Sequence, residues 1–206
     1  MSRTPLVVGV GVSTGGPKAL NLLLPALPAD FPVPILVVQH MPPIFTRLLA
    51  ERLSQRSGLR VVEASEGVVP QPGWAYVAPG NFHLTVIRPE GAPRPVLHLH
   101  QGPPEHSCRP AVDVLLRSVA QLYPGRALAV VLTGMGQDGA LGCHAIRETG
   151  GQVLAQDAAT SVVWGMPGAV VTQGLADKVL PLSRVAPEIV RRASEGRGRA
   201  RSPVEP

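Results

Sequence analysis

Aromatic side chains are scarce: three Phe, two Tyr and two Trp make up 3% of the 206 residues. A protein that grips nucleic acid by stacking bases on its side chains needs more of them, so that class is set aside. Charge is low as well, at 16% Asp, Glu, Lys and Arg against 45% apolar residues, which excludes a chain too polar to collapse. The two cysteines, Cys108 and Cys143, are too few for a disulfide framework and show no C-x-x-C spacing. No apolar run approaches the ~20 residues needed to cross a bilayer. The opening MSRTPLVVGV runs into a strand-like segment and has no cleavable signal pattern. A reduced, cytoplasmic protein without membrane insertion is the expectation.

Glycine and proline are plentiful, 22 and 23 residues without a collagen-like period, so loops are many and shaped. The length suits one domain that buries roughly 70% of its unfolded surface. The net charge of +5 is unevenly placed. Arg191, Arg192, Arg197, Arg199 and Arg201 face only Glu195 and Glu205 at the end of the chain, a local +3 that leaves +2 for the body. Residues 191–206 are therefore expected to be a disordered Arg-rich tail after a domain spanning 1–190, and the body offers no nucleic-acid-binding surface.

Short apolar runs alternate with helix-period segments. Strands are predicted at Leu6–Val12, Pro34–Gln39, His83–Ile87, Val96–His100, Ala127–Leu132, Gln152–Ala155 and Lys178–Leu182. Helices are predicted at Pro17–Ala26, Ile44–Ser54, Ala111–Leu122, Gly139–Thr149 and Val185–Ala193, with a shorter one near Gly168–Thr172. Continuously apolar strands such as ILVV and ALAVVL need cover on both faces. The pattern predicts a three-layer, doubly wound α/β fold with a mostly parallel sheet. Residues Glu63–Gln101, rich in Gly and Pro and without long helices, are predicted to form an antiparallel hairpin edge.

In such a sheet, ligands sit beyond the carboxyl ends of the strands. Three predicted strands end in residues with usable chemistry. Ser13 lies in GVSTGGPK, where small neighbours permit a tight strand-to-helix turn, Pro17 suits the first helical turn, and free N–H groups could hold an oxyanion. Capping the helix is the plainer role for that serine. A dinucleotide fingerprint would need Gly where Thr14 stands and an acid near Gln39 and His40; a phosphate-cradling loop would need Lys-Ser/Thr where Pro17 and Lys18 stand. His40 ends the second apolar strand, in VVQHMPP, placed to act as general base for a serine on the neighbouring loop. Asp138, in TGMGQDGA after the fifth predicted strand, suits either a helix N-cap or the carboxylate that orients an imidazole. Together the three describe a serine-hydrolase site. Their order, Ser-His-Asp, differs from the Ser-Asp-His order of α/β-hydrolases.

Other polar groups are weaker candidates. His98, His100, His106 and Cys108 lie close in sequence but lack fixed ligand spacing, so no metal is expected. Arg109 and Asp113 bracket a predicted helix start and suggest a local ion pair.

The segments GVSTGGP, QHMPPIFTRLLAERL, YVAPGNFH, RPAVDVLLRSVA, LTGMGQDGA and AQDAATSVVWGMPGAV resemble, in this order, the catalytic domain of the chemotaxis protein-glutamate methylesterases. The resemblance runs from about Leu6 to Leu182. It implies hydrolysis of γ-glutamyl methyl esters on the cytoplasmic helices of methyl-accepting chemoreceptors, together with deamidation of receptor glutamines, and it calls for no cofactor. The family's catalytic serine, histidine and aspartate fall on Ser13, His40 and Asp138, and its oxyanion region near Thr14 and Met135. Members typically carry an N-terminal phosphoryl-receiver domain; this sequence starts five residues before its first predicted strand, so no receiver domain is expected. Where relatives are expected to have His before RPAVD, Cys108 stands. Two alternatives stay open: a non-catalytic receptor-binding adaptor, and a serine esterase for another ester. A monomer is expected.

Overall fold

Strand β1 (Val7–Val12) is buried at every residue, as are β2 (Ile35–Gln39) and β7 (Ala127–Val131), so these strands lie inside a sheet covered on both faces. The structure is a computed structural model and describes residues 4–194. The remaining elements are α1 (Gly16–Leu23), α2 (Phe45–Arg56), β3 (Arg60–Glu63), β4 (Trp74–Val77), β5 (His83–Ile87), β6 (Val96–His100), α3 (Val112–Leu122), α4 (Ala140–Glu148), β8 (Gln152–Gln156), α5 (Met166–Thr172), β9 (Lys178–Leu180) and α6 (Leu182–Ser194).

Seven strands pair in the order β3-β4-β2-β1-β7-β8-β9, every pair parallel. The chain starts at β1, winds outward through β2, then returns to the other side of β1 at β7. That reversal opens a crevice beyond the carboxyl ends of β1, β2 and β7. Strand alternation sorts the core into two layers. Val8, Val10, Val12, Ile35 and Val37 pack with α1, α2 and α6, while Leu36, Val38, Ala129 and Val131 pack with α3, α4 and α5. The predicted three-layer α/β fold is the one observed, and the solved structure described below shares it.

Helix α3 crosses β1 where β1 has no side chains. A Cβ on Gly11 would lie 2.3 Å from Val112 Cγ1, and one on Gly9 would lie 2.6 Å from Leu116 Cδ2. This close approach sets the first turn of α3 at the carboxyl edge of the sheet.

Three details differ from the sequence reading. The antiparallel hairpin exists, β5 with β6, but it forms its own two-stranded sheet, not the margin of the main one. Buried Leu84, Val86 and Leu97 seat it in the core shared with α3. The margin is made instead by β3 and β4, four-residue parallel strands not among those predicted. Helix α6 runs to Ser194, into the segment expected as tail. Arg192 there is 6% exposed, its guanidinium donating to Glu188 Oε1 at 2.9 Å and to Gln152 Oε1 at 2.6 Å. The other expected tail residues, 195–206, lie outside the described residues. No helix among the described residues is long and apolar enough to cross a membrane.

Candidate active site

Strand register brings Ser13 and His40 together. Val12 pairs with Gln39 at the end of the β1–β2 ladder, so Ser13 and His40 are the next residues on adjacent strands, and the His40 N–H donates to the Val12 carbonyl at 3.2 Å. Strand parity turns both toward the α3 side, since Val12 packs on the opposite one. Gly15 stands in the left-handed region at φ 83° just before α1, a conformation that costs glycine little. It closes the turn, and Gly16 N–H donates to the Ser13 carbonyl at 2.8 Å.

Asp138, 1% exposed, comes from the loop after β7. His40 Nε2–H donates to Asp138 Oδ2 at 2.7 Å. The same carboxylate accepts the backbone N–H of Val112 at 2.7 Å and of Asp113 at 2.9 Å. Asp138 is thus a helix cap, but of α3 and not of the helix that follows it, α4, which is preceded by Gly139 without a side-chain cap. Burial pushes the Asp138 carboxyl up, but the hydrogen bonds from His40, Val112 and Asp113 outweigh it and hold the pKa below the ordinary Asp value. An ionised carboxylate only accepts, so Nε2 carries the ring hydrogen of neutral His40 and Nδ1 keeps its lone pair. Neither Nδ1 nor Ser13 Oγ has a hydrogen-bond partner among the described residues. A base oriented by a carboxylate and a hydroxyl on the adjacent strand together supply what nucleophilic catalysis requires.

Thr14 follows Ser13 on its own loop, and Met135, 72% exposed, follows Gly134 after β7; a Cβ on Gly134 would lie 2.8 Å from Ser13 Cβ. Their N–H groups donate to nothing among the described residues, while neighbouring Ser13 and Gly134 N–H are taken by the Thr133 and Val163 carbonyls. The loop that presents Met135 is braced: Gly165 and Met166 N–H both donate to the Gly134 carbonyl, and Trp164 Nε1 donates to the Gln156 carbonyl.

One residue at the centre of the site was not singled out by its sequence. Gln39, 2% exposed, donates its Nε2 hydrogens to the Ser13 carbonyl at 3.1 Å and the His40 carbonyl at 3.0 Å. A single amide thereby clips the ends of β1 and β2 together. Its Oε1 is buried without a partner and leaves no room for a side chain opposite, a Cβ on Gly16 falling 1.9 Å away.

The remaining candidates are dispersed. His98 Nδ1 meets Glu66 at 3.0 Å, and the His100 ring stacks on His98 and meets His83 at a tilt. Arg109 does not pair with Asp113; its guanidinium binds Asn81 Oδ1 and the Gln101 and Gly102 carbonyls. Asp113, fully buried, is met by His106 Nε2 at 2.8 Å and by Gly142 N–H at 2.6 Å. Donor atoms of His106, Asp113 and Asp138 do lie within 4.8 Å of one another, but every carboxylate oxygen there already accepts a backbone N–H or an imidazole. The arrangement is a helix-capping knot.

A hydroxyl, an imidazole and a carboxylate stand at the switch point of a doubly wound sheet, a combination that acyl-transfer chemistry can use. The chain belongs to the CheB methylesterase family, whose model matches residues 8–189. A protein-glutamate methylesterase/protein-glutamine glutaminase of Trichodesmium erythraeum is 59% identical over 90% of the chain and 52% of its own length. One of Methanosarcina mazei with the same description, numbered 2, is 47% identical over 90% of the chain and 51% of its own length. The crystal structure of the Thermotoga maritima CheB methylesterase catalytic domain superposes with a TM-score of 0.88, at 43% identity, covering 92% of this chain and 99% of that one. The chain spans about half the length of the curated relatives it matches.

Proposed function

We propose that the protein is a cytoplasmic serine hydrolase that removes methyl esters from glutamate side chains of chemoreceptors and deamidates receptor glutamines. The observation that carries the reading is the His40 Nε2–H bond to Asp138, made on the strand next to Ser13. The names of the relatives supply protein glutamate esters and protein glutamines as substrates, and the family resemblance supplies the chemoreceptor as partner.

Ser13 Oγ attacks the ester carbonyl as His40 Nδ1 takes its proton. Asp138 holds the imidazole in the required tautomer and stabilises the imidazolium. The oxyanion accepts from the Thr14 and Met135 N–H groups, donors fixed before the substrate arrives. His40 then returns the proton to departing methanol, or to ammonia when the substrate is a glutamine amide. Water, deprotonated by the same nitrogen, cleaves the acyl-enzyme to free glutamate.

The test is release of labelled methanol from membranes bearing methylated chemoreceptors, by wild type and by Ser13→Ala. The variant is expected to lose on the order of 10⁴ to 10⁶ in rate. Equal release by a folded Ser13→Ala protein would end the proposal.

A further inference from the structure

The chain leaving His40 builds an apolar ridge that the chemistry leaves unused. It passes through Met41, Pro42 and Pro43 to Ile44, 67% exposed, then into α2 with Phe45 56% and Leu48 48% exposed. Ile44 caps the helix start, its carbonyl accepting the Leu48 N–H at 3.1 Å. The core is served instead by Thr46, Leu49, Ala50 and Leu53. Scattered exposed apolar residues are ordinary, but a contiguous run beside a reactive site marks a surface that meets something.

The ridge is held in place. A Cβ at Gly80 would fall 2.3 Å from the Pro43 nitrogen, and Gly80 N–H donates to Thr46 Oγ1 at 3.1 Å. Ile44 sits at φ 74°, ψ −49°, a costly conformation for a β-branched residue that persists only where its surroundings impose it.

Reach decides what the ridge can touch. In a glutamyl ester only two methylene groups separate the protein backbone from the carbonyl. With that carbonyl at Ser13, the substrate's own backbone lies close to the rim of the site, one side of which is the chain leaving His40. We propose that the Pro42–Leu48 ridge docks the substrate helix of the Proposed function, on which this inference rests. The side chains of Arg47 and of Arg52 are exposed on the same helix; Glu51 approaches Arg47 only to 3.8 Å. The partner that fits is an amphipathic helix with apolar residues one turn from the target glutamate and carboxylates beyond them. The ridge selects the protein substrate, and Ser13, His40 and Asp138 act on the ester it delivers.

The experiment compares two substrates with wild type, Phe45→Glu, Leu48→Asp and Arg47→Glu. One is methylated chemoreceptor membrane; the other is the γ-methyl ester of N-acetylglutamate α-amide, too small to reach the ridge. The readout is the ratio of kcat/KM on the two. Phe45→Glu and Leu48→Asp are expected to lower it about 10- to 100-fold through KM. Arg47→Glu lowers it less, with an effect that fades as salt is added. An unchanged ratio, or a change in oligomeric state with both rates falling together, would overturn the docking surface while leaving the esterase reading intact. A wild type that cleaves the small ester but not the receptor would overturn the receptor reading, and the ridge with it.

Discussion

Two histidine–aspartate pairs meet at the carboxyl edge of this sheet, and their differences matter more than their likeness. In both, Nε2 faces a buried carboxylate, at 2.7 Å for His40–Asp138 and 2.8 Å for His106–Asp113. Both carboxylates also serve helix starts in exchange: Asp138 accepts from the first turn of α3, and Asp113, itself in α3, accepts Gly142 N–H of α4. The environments then part. Asp138 gathers three donors and lies below the ordinary pKa, while burial raises Asp113, with the nearby Asp138 charge adding to the rise. His40 follows a buried strand with Ser13 next to it on the adjacent strand, whereas His106 sits in a loop at φ 51° before α3. The same histidine–aspartate bond is thus made in two settings, and the proposed catalytic one is distinguished by the serine on the adjacent strand.

Removing the carboxylate of the first pair should have the largest effect. Asp138→Asn keeps the shape but places an amide where His40 needs an acceptor, inviting the wrong tautomer. A fall of about 10⁴ in kcat is expected, measured by methanol release, with KM little changed. If the second pair were the working one, this variant would retain most of its activity.

Gln39 supplies the next contrast, because only the first pair has an amide clip on the backbone of its histidine. Gln39→Leu retains volume but loses both donors, leaving the Ser13 carbonyl with the Gly16 N–H alone and the His40 carbonyl without the amide. The expected outcome is a 10- to 100-fold lower kcat at nearly constant KM, since a small displacement of reacting groups is costly. A rise in KM alone would mean that Gln39 shapes binding and not geometry.

How much of this was legible in the sequence depends on how local each feature is. The strands β1, β2 and β7 could be read because complete burial writes itself as an unbroken apolar run, and Ser13, His40 and Asp138 became candidates because they lie in the segments that follow those runs. The strands β3 and β4 escaped because RVVE is half exposed and WAYV runs into the hairpin with too few residues to show a period. Asp138 reads locally as a cap for the next helix. That it caps α3, 26 residues earlier, depends on the close approach at Gly11, which the sequence shows only as one glycine among 22. Gln39 could be noticed only as the acid that is absent there. The partner of Asp113 proved to be His106 and not the adjacent Arg109, because the loop folds back through positive φ at His106 and Ser107.

Deleting the second imidazole separates structure from catalysis. His106→Ala leaves buried Asp113 with one fewer donor, a loss of about 1–3 kcal/mol in urea-unfolding stability. The rate should stay within about threefold of wild type. A loss of rate comparable with that of Asp138→Asn would merge the two pairs into one relay.

The smallest effect is also the one that tests the electrostatic contrast directly. Asp138 has a lowered pKa in the folded state, so its contribution to stability is complete above the ordinary value of 3.8 and is lost as pH falls through the lower folded value. Asp113 has the opposite linkage. Its folded pKa is raised, so between 3.8 and that raised value the folded protein binds more protons than the unfolded chain, and stability declines as pH rises. Asp113→Asn removes this decline, leaving stability to rise more steeply with pH just above 3.8 than in wild type. Asp138→Asn instead flattens the fall below 3.8. The difference should be a few tenths of a kcal/mol per pH unit, within the ~1.4 kcal/mol per unit that one proton allows. Urea unfolding of both variants from pH 3 to pH 6 would show two slopes of opposite change. Parallel curves would mean that the two carboxylates share their protons and are one titrating unit.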